Sequence, residues 1–304
     1  MDKKTTDRIS LEYYVLDVFS NKSYKGNPLS VVFTNGNIEL VDYQNISREF
    51  GYSETSFVFY SKDHNALNIR SFTPSGFEVG GAGHNLLGAV CGALLKGMRI
   101  FEAQDENKRF VMMKDSPIIL NINIDNINQS SVVQMQQKRA TFRQTIPADK
   151  IAAAVGLIED DLRIDSLVPT VVQTEVAHVM VPIKTLELLN DCVPDNKQLI
   201  ELSKQYQFEG FYCFAFTTQN SSNIVESRFF NPLIGIDEDA ATGTAAGPLI
   251  GFLTKNNYTQ LNRKYKILQG LKLNQPSIIE VMARENDILV GGSSIITMQG
   301  EIYL

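Results

Sequence analysis

Cysteine is scarce in this chain: Cys91, Cys192 and Cys213 are the only three in 304 residues, and no two form a CxxC pair. A sparse, odd set argues against a disulfide framework and fits a reducing compartment, so a cytoplasmic location is expected. Histidine is as rare, with His64, His84 and His178 alone and no HExxH, so no metal site is expected. No apolar run approaches the ~20 residues that cross a bilayer, and residues 1–8 lack the apolar core of a signal peptide. Membrane association is therefore not expected. Lys and Arg form no basic run and the formal net charge is -6, so nucleic acid is not an expected partner. An anionic metabolite would have to be held by local donors rather than by global attraction.

Against these absences stands one pattern that occurs twice. Arg70-Ser71-Phe72-Thr73-Pro74 leads into Gly80-Gly81-Ala82-Gly83-His84 and an apolar stretch from Leu86 to Leu95. Arg228-Phe229-Phe230-Asn231-Pro232 leads into Glu238-Asp239-Ala240-Ala241-Thr242-Gly243-Thr244 and an apolar stretch to Leu253. A strand, a tight turn and a helix start, repeated once, describe two related lobes, and the length also fits about two domains. Backbone N–H groups at a helix start bind anions. Two such starts facing each other would suit a small carboxylate.

Hydrophobic spacing predicts strands over Tyr13–Phe19 and Leu29–Phe33, joined through the turn Gly26-Asn27-Pro28. It predicts a helix over 42–50, with Asp42 as N-cap and Gly51 closing it. The two repeat helices are expected from about Gly83 to before Gly97, and from about Gly243, with Pro248 just past the first turn. The tail reads as separate strands over Ser277–Ala283, Ile288–Gly291, Ile295–Thr297 and Glu301–Leu304. The polar stretch 125–131 marks the expected boundary. It divides the chain into an N-terminal lobe, 1–128, to which the last strand (about 293–304) can add, and a C-terminal lobe, 129–292. The balance is α+β: mostly antiparallel sheet around one central helix per lobe, rather than a doubly wound parallel sheet.

Four side chains could do chemistry. Glu54 lies in the turn before a hydrophobic strand; a carboxyl in a partly dry cleft can exchange protons near neutral pH, although position alone favours a solvated turn glutamate. His84 opens an apolar helix whose positive end disfavours imidazolium; it either hydrogen-bonds a ligand or merely ends a glycine turn. Asp239 and Thr244 flank the second turn, where capping the helix is the plainer role. Arg70 and Arg228 hold matching strand positions and read as structural partners of carboxylates or carbonyls. The glycine string is neither GxGxxG in a parallel unit nor a P-loop.

Taken together, several segments resemble the PhzF-like phenazine-biosynthesis family. They are Leu16-Asp17-Val18-Phe19, Gly26-Asn27-Pro28-Leu29-Ser30-Val31-Val32, Tyr52-Ser53-Glu54-Thr55-Ser56-Phe57-Val58, Phe72-Thr73-Pro74, Ala82-Gly83-His84 and 235–247, with Gln269-Gly270, Pro276-Ser277 and Val290-Gly291-Gly292. The resemblance implies the diaminopimelate epimerase-like fold: two pseudo-symmetric lobes, each a curved, barrel-like sheet around a central helix, with the ligand between them. It implies a homodimer, no cofactor, and isomerisation like that of a dihydro-hydroxyanthranilate, in which a proton moves between ring carbons. By motif its acid/base falls on Glu54 and its binding groups on His84, Asp239 and Thr244, helped by backbone N–H groups near Gly83 and Gly243. Asn85 and Ala240 stand where proline is common in the family, Thr244 where serine is common, and Gly80-Gly81 where a more hydrophobic pair is found. The related racemases use a cysteine at each helix start, and this chain has none there. One carboxylate acting alone favours isomerisation over a two-thiol racemase. An epimerase with a second base and a non-catalytic metabolite binder are the alternatives.

Overall fold

The computed structural model describes residues 9–123, 132–218 and 221–304. Residues 1–8 and the 125–131 stretch expected to separate the lobes lie outside the described residues. In the first lobe, strand Ser10–Val18 pairs antiparallel with Asn27–Phe33, which runs parallel to Thr55–Ser61. Ala66–Phe72 then pairs antiparallel with that strand and parallel with Phe110–Met113, which turns back into Ser116–Asn123. The second lobe repeats this sequence of contacts with Thr170–Gln173, Ala177–Pro182, Gly210–Phe216, Val225–Asn231, Tyr265–Gln269 and Ser277–Ala283. Each lobe has the same alternation of parallel and antiparallel neighbours, so the repeat seen in the sequence is a repeat of topology.

The tail differs from expectation. The three segments after Ala283 form one 17-residue strand, Asp287–Tyr303. Its first half lies between Ser277–Ala283 and Val132–Lys138, and its second half pairs with Ser10–Val18. The glycines that read as a strand end mark close approach instead: a Cβ on Gly292 would lie 2.8 Å from Phe19 Cδ1. Because Ser116–Asn123 also pairs with Val132–Lys138, the ladder of the first lobe closes into a barrel. The same strand therefore belongs to both sheets.

Each lobe wraps one helix, His84–Leu95 in the first and Gly243–Lys255 in the second. Both are apolar around their whole circumference, as buried helices must be. Every residue from His84 to Ala93 is buried. The second helix continues through Pro248 and buries Ala245, Ala246, Leu249, Ile250, Phe252 and Leu253. Amphipathic elements cover the outside. Helix 40–50 starts after Glu39 rather than at Asp42, which sits in its first turn. Leu40 and Val41 are exposed and add nothing to the apolar stripe, so the spacing hides that first turn. Gly51 ends the helix at φ 68° and donates its N–H to Ser47 O. Helices Ala148–Ala154, Leu186–Asp191 and Asn196–Tyr206 pack a second core, with Ile151, Val179, Phe211 and Phe230 at its centre, onto the outer face of the second sheet. Among the described residues no helix is long and apolar enough to cross a membrane.

Candidate functional site

The two helix starts meet where the lobes join. A Cβ on Gly243 would lie 3.6 Å from Gly83 Cα, and Thr244 Cγ2 is 3.7 Å from where a Cβ on Gly83 would stand. Glycine at both places lets the backbones approach this closely. A helix leaves its first four N–H groups without intrahelical partners, and each start spends two of them. In the first, Asn85 Oδ1 accepts from Gly83 N and Leu86 N, both at 2.8 Å, while its amide donates to Gly81 O. The Gly83 N–H is thus taken by Asn85, and the open donors at this end are those of the residues that follow it. In the second, Thr242 N donates to Gln269 Oε1 (3.2 Å) and Ala245 N to Thr242 O. The same pair of groups is left at each end, the N–H of His84 and Asn85 and the N–H of Gly243 and Thr244, with no partner among the described residues. Two positive helix ends with open donors converge, an arrangement that favours an anion.

Glu54 is no solvated turn residue: its side chain is only 16% exposed. It directly precedes the buried strand Thr55–Ser61, which carries it to the junction. Its Oε2 stands 3.7 Å from His84 Nε2. This is not an ion pair. Burial pushes the His84 pKa down to about 4, so the ring is neutral. Burial, with a further push from the charge of Asp239, raises Glu54 to about 8. At neutral pH a carboxylic acid faces a neutral imidazole, and Ser53 Oγ lies 3.3 Å from the same ring nitrogen.

Asp239 is placed differently. Its Oδ1 accepts from Asn27 Nδ2 at 2.8 Å and its Oδ2 from Thr242 Oγ1 at 2.6 Å. The N–H groups of Ala240 and Ala241 also donate to it. Burial still dominates and raises it to about 6, but the four donors hold it well below Glu54. Two neighbouring carboxyls with pKa values pushed apart are the signature of divided acid–base roles. Neither Asp239 nor Thr244 is the N-cap; Thr242 is, and its side chain makes no capping bond. Thr244 is half-buried, with its methyl toward the first glycine turn.

Arg70 and Arg228 form matching forks on Glu78 and Glu238 at 2.8–2.9 Å. Arg228 also donates to the carbonyls of Leu189 and Cys192. Both brace the strand that feeds a glycine turn. The three cysteines are buried, and burial pushes the Cys192 thiol up to about 12. Among the described residues no group of His, Cys, Asp and Glu could hold a metal ion.

Sequence reasoning assigned no role to Asn27, Thr242, Gln269 or Tyr212. Asn27 and Gln269 lie within the quoted family segments and Thr242 within the repeat, so position offered a signal. Their function depends on contacts such as Asn27 to Asp239 that no local pattern announces.

Comparison with known proteins agrees with this architecture. An uncharacterized isomerase of Clostridium acetobutylicum is 31% identical, over 96% of this chain and 97% of that protein. The trans-2,3-dihydro-3-hydroxyanthranilate isomerase of Pseudomonas aeruginosa is 29% identical, over 96% and 99%. The crystal structure of a PhzF-family phenazine biosynthesis protein from Bacillus anthracis superposes with a TM-score of 0.85 at 21% identity, covering 97% of this chain and 100% of that one. The fold is the diaminopimelate epimerase-like one that the resemblance implied. The model of the phenazine biosynthesis-like (PhzC-PhzF) proteins matches residues 16–300, and the chain belongs to that family.

Proposed function

We propose that this protein is a cofactor-independent isomerase that moves a proton within a small carboxylate-bearing substrate, similar to the trans-2,3-dihydro-3-hydroxyanthranilate isomerases among its relatives. The observation that carries this reading is Glu54: a largely buried carboxyl, raised to about 8, against a neutral His84 at the meeting of two open helix ends. The ionised form of Glu54 removes a proton from carbon. The electron pair left behind delocalises toward the substrate carboxylate, where the N–H groups of His84, Asn85, Gly243 and Thr244 stabilise the added charge. Glu54, whose proton exchanges with solvent, then delivers a proton to a second carbon. His84 and Thr244 orient the substrate, and Asp239 fixes the local charge.

The internal repeat favours one base over two. Phe57 pairs with Arg70 as Cys213 pairs with Arg228, so the strand register sets Glu54 against Gly210 in the second lobe. No carboxyl stands there, and Asp239 is already saturated with donors. A small-carboxylate metabolite pool incubated in heavy water with the protein tests this. The expected result is deuterium incorporation with a shifted double bond, and a loss of about 10²–10⁴-fold in Glu54→Gln, the usual scale of general acid–base catalysis. Exchange accompanied by inversion at one carbon would favour an epimerase, and binding without exchange would leave a metabolite-binding protein. Near-wild-type turnover by Glu54→Gln would remove Glu54 from the chemistry.

A further inference from the structure

A chain of hydrogen bonds behind the site runs in one direction. Ser227 Oγ donates to Tyr212 Oη (3.1 Å), and Tyr212 Oη donates to Gln269 Oε1 (2.9 Å). The Gln269 amide cannot turn over. Its Oε1 also receives the Thr242 N–H, and its Nε2 gives one bond to the Asp239 carbonyl at 2.9 Å. Nε2 gives a second bond, at 3.1 Å, to Thr242 Oγ1. With that oxygen acting as acceptor, the Thr242 hydroxyl proton is left to point at Asp239 Oδ2. From the other lobe Asn27 closes Oδ1, its own amide orientation set by a bond to Ala241 O. The Thr242 hydroxyl and one Asn27 amide proton are directed at the Asp239 carboxyl, and the remaining bonds fix the groups that carry them. A carboxylate can accept all of these bonds; a carboxylic acid would have to give up one of them.

We propose that Gln269 is a positioning residue for the proton-transfer site: by donating to the Thr242 hydroxyl it turns that proton toward Asp239, and so keeps Asp239 the charged neighbour of Glu54. The network is buried, with Gln269 and Tyr212 fully enclosed and Thr242 nearly so, so water does not replace its members. The titratable groups facing Asp239 are Glu54, from the first lobe, and Tyr212, from the second; the charge of Asp239 raises both. His84 stands against Glu54, Arg228 is spent on Glu238, and Asp17 acts on Tyr52 instead. The direction of the effect follows. Without the donated proton Asp239 ionises less readily and its midpoint rises, whereas Glu54, which ionises only after Asp239 has done so, still meets the full charge and keeps its midpoint. The two midpoints of the pair draw together.

This inference rests on the reading of Glu54 as the proton carrier, but its test does not need turnover. The probe is carbon-13 NMR of side-chain carboxyls in the substrate-free protein, titrated from pH 4 to 9 (roughly the span of both groups). In Thr242→Val and Gln269→Leu the lower midpoint, near 6 in the wild type, is expected to rise while the upper, near 8, stays in place. The lower should move by about half a pH unit or more, about threefold in the ionisation constant. Thr242→Ser, which keeps the hydroxyl, should restore wild-type values. Tyr212→Phe should raise the lower midpoint by less. A lower midpoint unchanged in Thr242→Val, or an upper midpoint that moves as far as the lower, would overturn the proposal. Thr242→Val keeps the side-chain shape, so it decides the matter even if Gln269→Leu does not fold. Absence of isomerase activity with converging midpoints would refute the functional reading and leave the relay standing.

Discussion

The proton that Glu54 retains in the folded protein has a consequence for stability that isolates this one residue. Unfolded, Glu54 loses its proton near 4.5; folded, it keeps it to about 8 because burial and Asp239 disfavour its charge. Between these values the folded state binds one proton more than the unfolded state, so stability falls as pH rises. One proton changes stability by about 1.4 kcal/mol per pH unit. Other groups interfere at lower pH. Asp239, raised to about 6, adds a fall of the same sign between 3.8 and 6. His84 and His178, lowered to about 4 and about 3, oppose it below 6.5, because each is neutral when folded and charged when unfolded. Above 6.5 Asp239 has all but finished titrating, and the two histidines give up the half proton each still holds in the unfolded state, which opposes the fall by about 0.8 kcal/mol in all. From pH 6.5 to 8 Glu54 by itself removes about 1.6 kcal/mol, allowing for its being half ionised at the upper end, so the wild type should lose about 1 kcal/mol. Glu54→Gln carries no proton to lose there and should gain about 0.8 kcal/mol over the same interval. Urea unfolding at five or six pH values in this window measures both slopes, and the difference between them cancels any constant penalty from the new amide. Parallel curves would refute the reasoning, since they would mean that Glu54 is ionised or solvated in the folded protein.

Other outcomes follow from the same geometry. Asp239→Asn removes the charge that helps to raise Glu54, so the rise of deuterium exchange with pH should move below 8; an unmoved profile would show that the two groups do not interact. Gly243→Ala places a methyl 3.4 Å from Phe19 Cζ and Met135 Cε, an ordinary contact, but between the two helix starts. Stability should change by less than about 1 kcal/mol, while affinity for a small carboxylate falls at least about tenfold, equal to about 1.4 kcal/mol; calorimetric titration and thermal melting separate the two effects. The matching Arg forks should differ sharply. Arg228→Met strands Glu238 in a nearly buried place (side chains 7% and 13% exposed) and should destabilise by about 3–5 kcal/mol. Arg70→Met breaks a fork that is 34% and 26% exposed and should cost about 1 kcal/mol or less. Equal values in urea unfolding would show that the shared geometry outweighs burial.

What the sequence discloses about this molecule is what repeats or recurs locally. The doubled strand–glycine–helix pattern gives the two lobes because each copy must bury an all-apolar helix inside its own sheet, and that demand is written in contiguous residues. Ends defined by contacts are written nowhere near themselves. Gly291 and Gly292 look like the close of a strand until the backbone of Gln134 and the ring of Phe19 are seen against them. The helix at 40–50 begins with two exposed apolar residues that no stripe predicts. The site divides along the same line. Gly83 and Gly243 are legible as helix starts, but which of their N–H groups stay open depends on Asn85 in one and on the distant Gln269 in the other. The Asn85 side chain occupies two donors at the first turn and leaves two, which a residue without a side-chain acceptor could not do.

The asymmetry of the repeat is the least legible feature and the one with most chemical content. Topology duplicates the helix ends and the Arg forks, yet the register sets Glu54 against Gly210, and on the opposite side the glycine turns set Asp239 against Val79. Each lobe thus contributes one carboxyl, at non-equivalent positions, to a junction that is otherwise two-fold. The carboxyl from the first lobe meets a neutral ring and keeps its proton, whereas the one from the second lobe meets four donors and loses it more readily. A symmetric pair of bases would suit removal of a proton from one face and its return to the other. An unequal pair, in which one group is held charged and the other is free to exchange, suits a single carrier working on one face of a bound anion.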